Sequence, residues 1–420
     1  MEKGEYALYD EIRVCLPGNM YRERGGGKTR REDTMSKETI RRERLWTEDI
    51  MKQLREKMSW VCQKNKGKIP YTTDESGNYD DRADISREWP MDDGINWWTN
   101  GFWGGLMWLM YLETGEKEYR EAAEISEKQL DRCFEMYYGI HHDVGFMYMP
   151  TAVMDYRITG SEEGRKRGMH AANILAGRFN PAGNFIRAWN ENYGGDPTGR
   201  AIIDCMMNLS LLYWASEESK DPRFRHIAEA HAHTVMKYFV RQDGSVCHIV
   251  DFDPETGAYA GDVGGQGYGK GSSWTRGQAW AVYGFAVSYR HTGKKEYLHT
   301  AEKTADYCIA SLPGSGIVPV DFRQPESPAW EDSCAAVILA SGLLELSRYS
   351  DAPEAYLRTA EKLLLTIARE RADFGPGCDA VVQNCSASYH EERHHFPMIY
   401  ADYFFTEALM KLKGAELPVW

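Results

Sequence analysis

Residues 111–119 read YLETGEKEY, and residues 289–297 read YRHTGKKEY. In each, an apolar-periodic run ends at a tyrosine, Thr-Gly follows, and after charged residues a second tyrosine opens the next periodic run. Glycine just past such a run is a helix C-cap signal, because it takes the left-handed conformation without a Cβ clash. Each copy therefore predicts a tight helical hairpin. Weaker copies stand at Thr159-Gly160, Ser219-Lys220-Asp221 and Ser350-Asp351.

Outward from these turns, apolar residues at helical spacing mark stretches near 45–62, 100–113, 117–137, 145–159, 161–179, 201–217, 222–240, 274–291, 294–311, 331–348, 352–370 and 400–413. Almost no strand-like alternation competes with them. Six hairpins at irregular intervals do not make a plain solenoid; they predict an all-α fold, an (α/α)6 barrel whose inner helices converge on a central cavity. Long connections at 62–100 and 241–273, rich in Gly, Trp and His, would form its mouth. Residues 1–40, with Gly25-Gly26-Gly27 and no periodicity, read as a poorly ordered extension, and 41–420 as a single catalytic domain.

Composition narrows the function. No apolar run approaches the roughly 20 residues of a membrane span. A net charge of −13 argues against a nucleic-acid partner and means that an anionic ligand needs a local basic pocket. Nine cysteines without one Cys-x-x-Cys suit reduced thiols, and the first residues show no secretion signal, so a cytoplasmic protein is expected. Oligomeric state leaves no mark on one sequence.

Two acids stand in unusual company. Asp204 lies in Ala201-Ile202-Ile203-Asp204-Cys205-Met206-Met207-Asn208-Leu209, and Asp143 in His141-His142-Asp143-Val144-Gly145-Phe146. A buried carboxylate costs several kcal/mol unless it is paired or protonated. Arg200, Asp204 and Asn208 fall on one helical stripe, so an Arg200–Asp204 ion pair and a proton-transfer role both remain open. Trp97, Trp98, Phe102, Trp103 and Trp189 adjoin the acids, and Trp274 and Trp280 bracket Arg276. Each alone is ordinary core; together with two misplaced acids they point to carbohydrate, whose rings stack on indole faces.

Two motifs point elsewhere and fail. Gly264-x4-Gly269-Lys270 imitates a phosphate-binding loop, but Gly271 occupies the magnesium-binding Ser/Thr position and no strand leads in. A flexible loop over a substrate fits better. His390, His394 and His395 have metal-like spacing, yet Pro397 follows closely and no matching ligand set is evident, so they read as polar loop residues.

The ordered blocks WTNGFWGGLMWLMY (98–111), HHDVGF (141–146), IIDCMMNL (202–209), DGSVCHIVDFDPETG (243–257), SSWTRGQAWAVYGFA (272–286) and WEDSCAAVILASGLLEL (330–346) resemble the unsaturated glucuronyl hydrolases of glycoside hydrolase family 88. The likeness runs from Trp97 to Leu412. It implies an (α/α)6 barrel acting on the Δ4,5-unsaturated uronic acid that polysaccharide lyases leave at the non-reducing end of oligosaccharides. It implies Asp204 as the catalytic acid, Asp143 as its partner, and Trp98, His142, Trp189, His248, Gln266, Arg276 and Trp280 as substrate contacts. Arg276 would grip the uronate, and Trp189 and Trp280 would stack on sugar. Protonation of C4 and addition of water at C5 need no metal or organic cofactor. Burial and Asp143 are expected to keep Asp204 protonated near neutral pH, against the helix N-terminus and Arg200.

The chain departs from the family near its C-terminal end. Ile399-Tyr400-Ala401-Asp402-Tyr403 replaces the common Trp-Gly-Asp-Tyr, and His390 stands where sulfate-recognising relatives carry Lys. Unsulfated or variably sulfated glycosaminoglycan fragments are therefore expected. The alternatives are an unsaturated rhamnogalacturonyl hydrolase, which lacks the joint HHDVGF and IIDCMMNL pattern, and a non-catalytic sugar-binding toroid.

Overall fold

The computed structural model describes residues 30–420 apart from positions 92, 138 and 191–195. Most of the expected loose extension thus lies outside the described residues. Where they begin, the chain is already helical, in α1 (Arg30–Asn65).

Each remaining stretch becomes a helix: α2 (Gly101–Thr114), α3 (Lys117–Met136), α4 (Val144–Tyr148) continuing into α5 (Met154–Thr159), α6 (Glu162–Ala176), α7 (Cys205–Ser219), α8 (Pro222–Tyr238), α9 (Thr275–Thr292), α10 (Lys295–Ser311), α11 (Ser333–Ser347), α12 (Glu354–Glu370) and α13 (Ile399–Leu412). The turns end as the sequence predicts. Gly115, Gly160 and Gly293 take φ of 74°, 77° and 67°, and Lys220 takes 59° without glycine's freedom. The turn near Ser350 differs, because the helix before it ends on Arg348 in a right-handed conformation.

Alternate helices close a ring. Neighbours α2, α4–α5, α7, α9, α11 and α13 pack side by side, and α13 returns to α2; the others pack outside them. Residue patterning follows position. Ser333 to Leu346 of α11 are all buried, whereas outer α12 buries one stripe, including Tyr356, Ala360, Leu363, Leu364 and Ile367. Close approach inside the ring needs small residues: a Cβ on Gly284 of α9 would stand 2.5 Å from Met206 Cβ on α7.

Two local features depart from simple helices. Between α4 and α5 the segment Met149–Val153 is a π-turn, where Pro150 lacks the N–H that an α-helix interior would use. The stretch expected to be helical from 201 starts only at Cys205. Residues Arg200–Ile202 (β3) instead pair antiparallel with Ile249–Phe252 (β4), which pairs with Tyr259–Val263 (β5), and a two-residue hairpin joins Phe179–Asn180 (β1) to Phe185–Ile186 (β2). Strands this short show too little alternation to announce themselves.

Trp420 fills the inside of the ring, wholly buried and stacked on Phe404 at 6.0 Å. Around it Glu407 accepts from Trp420 Nε1 at 2.8 Å, Tyr283 OH at 2.9 Å and Ser341 Oγ at 2.6 Å. Among the described residues no helix is long and apolar enough to cross a membrane.

Candidate active site

Asp143 immediately precedes α4 and Asp204 immediately precedes α7, and those helices pack against one another in the inner ring. Neither carboxylate caps its own helix. Both are buried. Asn208, one turn into α7, links them: its Nδ2 donates to Asp143 Oδ1 and to the Asp204 carbonyl, each at 3.2 Å, while its Oδ1 accepts the Phe146 N–H at 2.8 Å. Only the Asp204–Asn208 half of the expected stripe is helical.

The structural pair considered for Arg200 and Asp204 does not form. Arg200 faces its strand partner Asp251 and binds both carboxylate oxygens, Nε at 2.8 Å and Nη2 at 3.0 Å. Having Arg200 on a strand turns its side chain away from the helical stripe.

The proton balance centres on Asp143. Burial, and then the neighbouring Asp204 carboxylate, push its carboxyl well above the usual range, against Asn208 and Arg178. Burial drives His141 down to about 3, helped by Arg178, and burial and then His141 drive His142 well below the usual imidazole range, so both imidazoles are neutral at ordinary pH. Their Nδ1 atoms lie 3.1 Å apart, and His142 Nε2 stands 3.2 Å from Asp143 Oδ1.

His248 ends the loop before β4. The Gln266 backbone N–H donates to its Nδ1 at 2.9 Å, so that nitrogen carries a lone pair and the ring hydrogen sits on Nε2. Nε2 faces Asp204 Oδ2 at 3.5 Å, and both atoms are buried without a hydrogen-bond partner among the described residues. Gly265 permits this arrangement: its φ is +59°, and a Cβ there would lie 2.1 Å from His248 Nδ1.

The remaining expected contacts divide. Trp98 is half-buried against Tyr400 at 4.9 Å, and Trp189 is half-buried with its ring perpendicular to His142 at 5.9 Å. Gln266 Nε2 donates to Ala387 O at 2.8 Å, tying the glycine-rich loop to the 385–396 segment, where His390 Nε2 meets Tyr268 O at 2.8 Å. Arg276 is wholly buried, and its end groups are engaged: Nη1 with Asp332 Oδ2 at 2.7 Å and Ser386 O at 3.0 Å, Nη2 with Ala387 O at 2.5 Å. In this structure the guanidinium expected to grip a uronate is instead bound to Asp332 through a single Nη1–Oδ2 bond and to the Ser386 and Ala387 carbonyls. Trp280, expected as a stacking face, has no open face. It is 0% exposed, with Phe146 and Phe404 centroids at 5.0 and 5.4 Å.

His394 lies flat on Trp330 at 4.2 Å and His395 accepts from Glu331 N, so the C-terminal histidines serve loop packing. Metal-type side chains cluster as His141, His142 and Asp143, and as Asp332, Cys334 and Cys385. In both groups donors are engaged with neighbours, His141 with His142, Asp143 with Asn208 and Asp332 with Arg276. Sequence reasoning missed Asn208's bridging role and the Asp332 pair; the first was visible only as the last member of the Arg200, Asp204 and Asn208 stripe.

The model of Glycosyl Hydrolase Family 88 matches residues 60–389. The unsaturated glucuronyl hydrolase of Bacillus sp. (strain GL1) is 36% identical over 348 residues, covering 80% of this chain and 92% of that protein. The unsaturated chondroitin disaccharide hydrolase of Streptococcus pyogenes serotype M1 is 30% identical over 331 residues, covering 77% of this chain and 83% of its own length. Among solved structures, the Bacillus sp. GL1 unsaturated glucuronyl hydrolase superposes with a TM-score of 0.79 at 32% identity, covering 87% of this chain and 97% of that one. An unsaturated glucuronyl hydrolase specific for heparin superposes equally, with a TM-score of 0.79 at 29% identity over 89% and 99%.

Proposed function

We propose that this chain, which belongs to Glycosyl Hydrolase Family 88 and is an unsaturated glucuronyl hydrolase, uses Asp204 and Asp143 to hydrate the vinyl ether of a Δ4,5-unsaturated uronic acid at the non-reducing end of lyase-generated oligosaccharides. The carrying observation is the pair itself: two buried acids, neither capping a helix, joined through Asn208, with Asp204 Oδ2 left unpartnered opposite His248.

The reaction follows from the substrate's double bond. Asp204 gives a proton to C4, and the positive charge that results is shared by C5 and the ring oxygen. Water adds at C5 and returns a proton to Asp204, so one group serves as acid and then base. The C5 hemiketal opens to a ketone, which leaves C1 a hemiacetal that releases the next sugar. Asp143, whose Oδ1 accepts from Asn208 Nδ2, stands as the partner acid of Asp204. His248 Nε2–H supplies a donor beside the reacting atoms. Carboxylate spacing does not set the stereochemistry here, because no glycosidic oxygen is attacked first.

Glycosaminoglycan fragments, unsulfated or variably sulfated, are the proposed substrates. His390, in place of a Lys, spends its Nε2 on the Tyr268 carbonyl, which supports that preference. Trp98, Trp189 and the loop carrying Gln266 would contact the sugar. A cytoplasmic location is proposed with it, supported by cysteines that stand as free thiols among the described residues. The test is loss of the ultraviolet absorbance of the conjugated double bond on incubation with unsaturated disaccharides from hyaluronan, chondroitin, heparin and pectin. Loss with the first two at the highest rate is expected; no loss with any would sink the reading, and loss with pectin products alone would replace it.

A further inference from the structure

Arg178 stands between the end of α6 and β1, partly buried, and its guanidinium is held by neutral oxygens alone. Nε donates to Arg187 O at 2.9 Å, Nη1 to Asn190 Oδ1 at 2.8 Å and Nη2 to Ala188 O at 2.5 Å. No carboxylate among the described residues forms an ion pair with it. Burial, and then Arg187, bring its pKa down to about 10, so the group is charged at neutral pH. The same oxygens belong to the site. Ala188 O also meets the His142 N–H at 3.5 Å, and Asn190 Nδ2 reaches Ile140 O at 3.5 Å. The cation is therefore one shared acceptor away from the loop that carries His142 and Asp143, and beside Trp189.

We propose that Arg178 is a specificity-determining residue: its unmatched positive charge, fixed behind the His142–Asp143 loop, draws the uronate carboxylate of the substrate into the site. This rests on the uronate substrate proposed above. A charge set in a protein without a counter-ion costs free energy, and a bound anion recovers it.

The surrounding charges leave this role to Arg178. A chain with a net charge of −13 repels an anion, and two acids stand at the site itself. Arginines nearby are already matched: Arg276 by Asp332, Arg200 by Asp251, and Arg82 by Asp80 and Asp93. Asp143 does not serve as a fixed counter-ion for Arg178, because burial and then Asp204 push its carboxyl well above the usual range. Arg187 is bound as Arg178 is, Nε to Trp189 O at 2.9 Å and Nη2 to Asn190 O at 3.3 Å, and adds to the field. Attraction of this kind needs no direct contact. Unit charges roughly 8–10 Å apart, at an effective dielectric of about 20, still change affinity about tenfold after screening.

The test removes the charge from either side. The unsaturated hyaluronan disaccharide carries one charge, its uronate, and its methyl ester carries none. Binding of both is measured by calorimetry in an Asp204→Asn background, expected to stop turnover, with and without Arg178→Gln or Arg178→Lys. Arg178→Gln should weaken the acid about tenfold and the ester by less than about twofold. Arg178→Lys keeps the charge and loses the fork, and should bind the acid within about threefold of the parent. Equal weakening of acid and ester by Arg178→Gln would mean that Arg178 only holds the framework, and would overturn the proposal. So would no weakening of the acid, or a lysine variant as weak as the glutamine one. Should Arg178→Gln lose its circular dichroism, Arg178→Lys decides alone: a loss of about tenfold for the acid would then overturn the proposal. Binding keeps the two readings apart. If the unmodified protein binds the acid and leaves it intact, the proposed function fails while the comparison of acid with ester still decides the role of Arg178; if it binds neither, both fall.

Discussion

His248 Nε2 and Asp204 Oδ2 face each other at 3.5 Å, both buried and both without another hydrogen-bond partner among the described residues. The separation is too long for a strong hydrogen bond, and a buried polar atom left unmade is costly. A sugar hydroxyl or a water lying beside both atoms would meet a donor and a carboxyl together. Such an unsatisfied pair is expected where binding supplies the missing partner.

Asp204→Asn should abolish turnover, lowering kcat by at least about a thousandfold while substrate binding changes little, because the amide keeps shape and loses the proton. Asp143→Asn should also be severely impaired. Single-turnover absorbance and equilibrium binding separate the two effects, and near-normal turnover by Asp204→Asn would remove it from the mechanism.

His248→Ala deletes one donor at the reacting atoms and should lower kcat about a hundredfold, within the range seen for a single donor stabilising developing charge. Gly265→Ala is expected to act on the same residue from outside. Its Cβ would stand 2.1 Å from His248 Nδ1, and the position requires φ of +59°. Activity should fall while the melting temperature moves by only a few degrees; full activity in Gly265→Ala would show that the His248 ring need not be held there.

The helical framework was legible because 3.6-residue periodicity and Thr-Gly turns are local signals. Asp204 was legible because a charge between Ile202-Ile203 and Met206-Met207 violates that pattern, and Asp143 because it stands in similarly unusual company in His141-His142-Asp143-Val144-Gly145-Phe146. What was not legible depends on distant partners. Arg276 finds Asp332, and Arg200 finds Asp251, through topology that no spacing rule reveals. Strand β3 borrows its conformation from β4, and that pairing delays the start of α7 to Cys205. Trp280 looked like a binding aromatic because it flanks Arg276, yet the inner face of a closed ring buries whatever points into it.

Asp332→Ala should destabilise the fold by about 3–5 kcal/mol, since it leaves the buried Arg276 guanidinium without its carboxylate. The loss extends beyond the ion pair, because Asp332 Oδ1 also accepts the Cys334 and Ser386 N–H groups at 3.1 and 3.3 Å. Denaturant unfolding measures it. A change below about 1 kcal/mol would mean that the Ser386 and Ala387 carbonyls alone suffice to hold Arg276.

Glu127 gives the fold a pH dependence separate from the active site. It is buried on α3, with Oε1 accepting Trp108 Nε1 at 3.0 Å and Oε2 3.7 Å from Arg167 Nη1. Burial first, and then Asp155, push its carboxyl from 4.5 to about 8, against Trp108 and Arg167. The folded chain therefore keeps a proton that the unfolded chain releases above about 4.5. Stability from this group is fully present below that pH and is lost as pH rises through about 8. Glu127→Gln keeps an acceptor for Trp108, and Arg167 retains Asp131 at 2.6 and 2.7 Å. The variant should therefore match the parent near pH 4.5 and exceed it by about 1–3 kcal/mol in alkaline buffer above the folded-state value. Melting curves taken on either side of the window check this, and a variant that is less stable than the parent at alkaline pH would show that the Arg167 attraction outweighs burial.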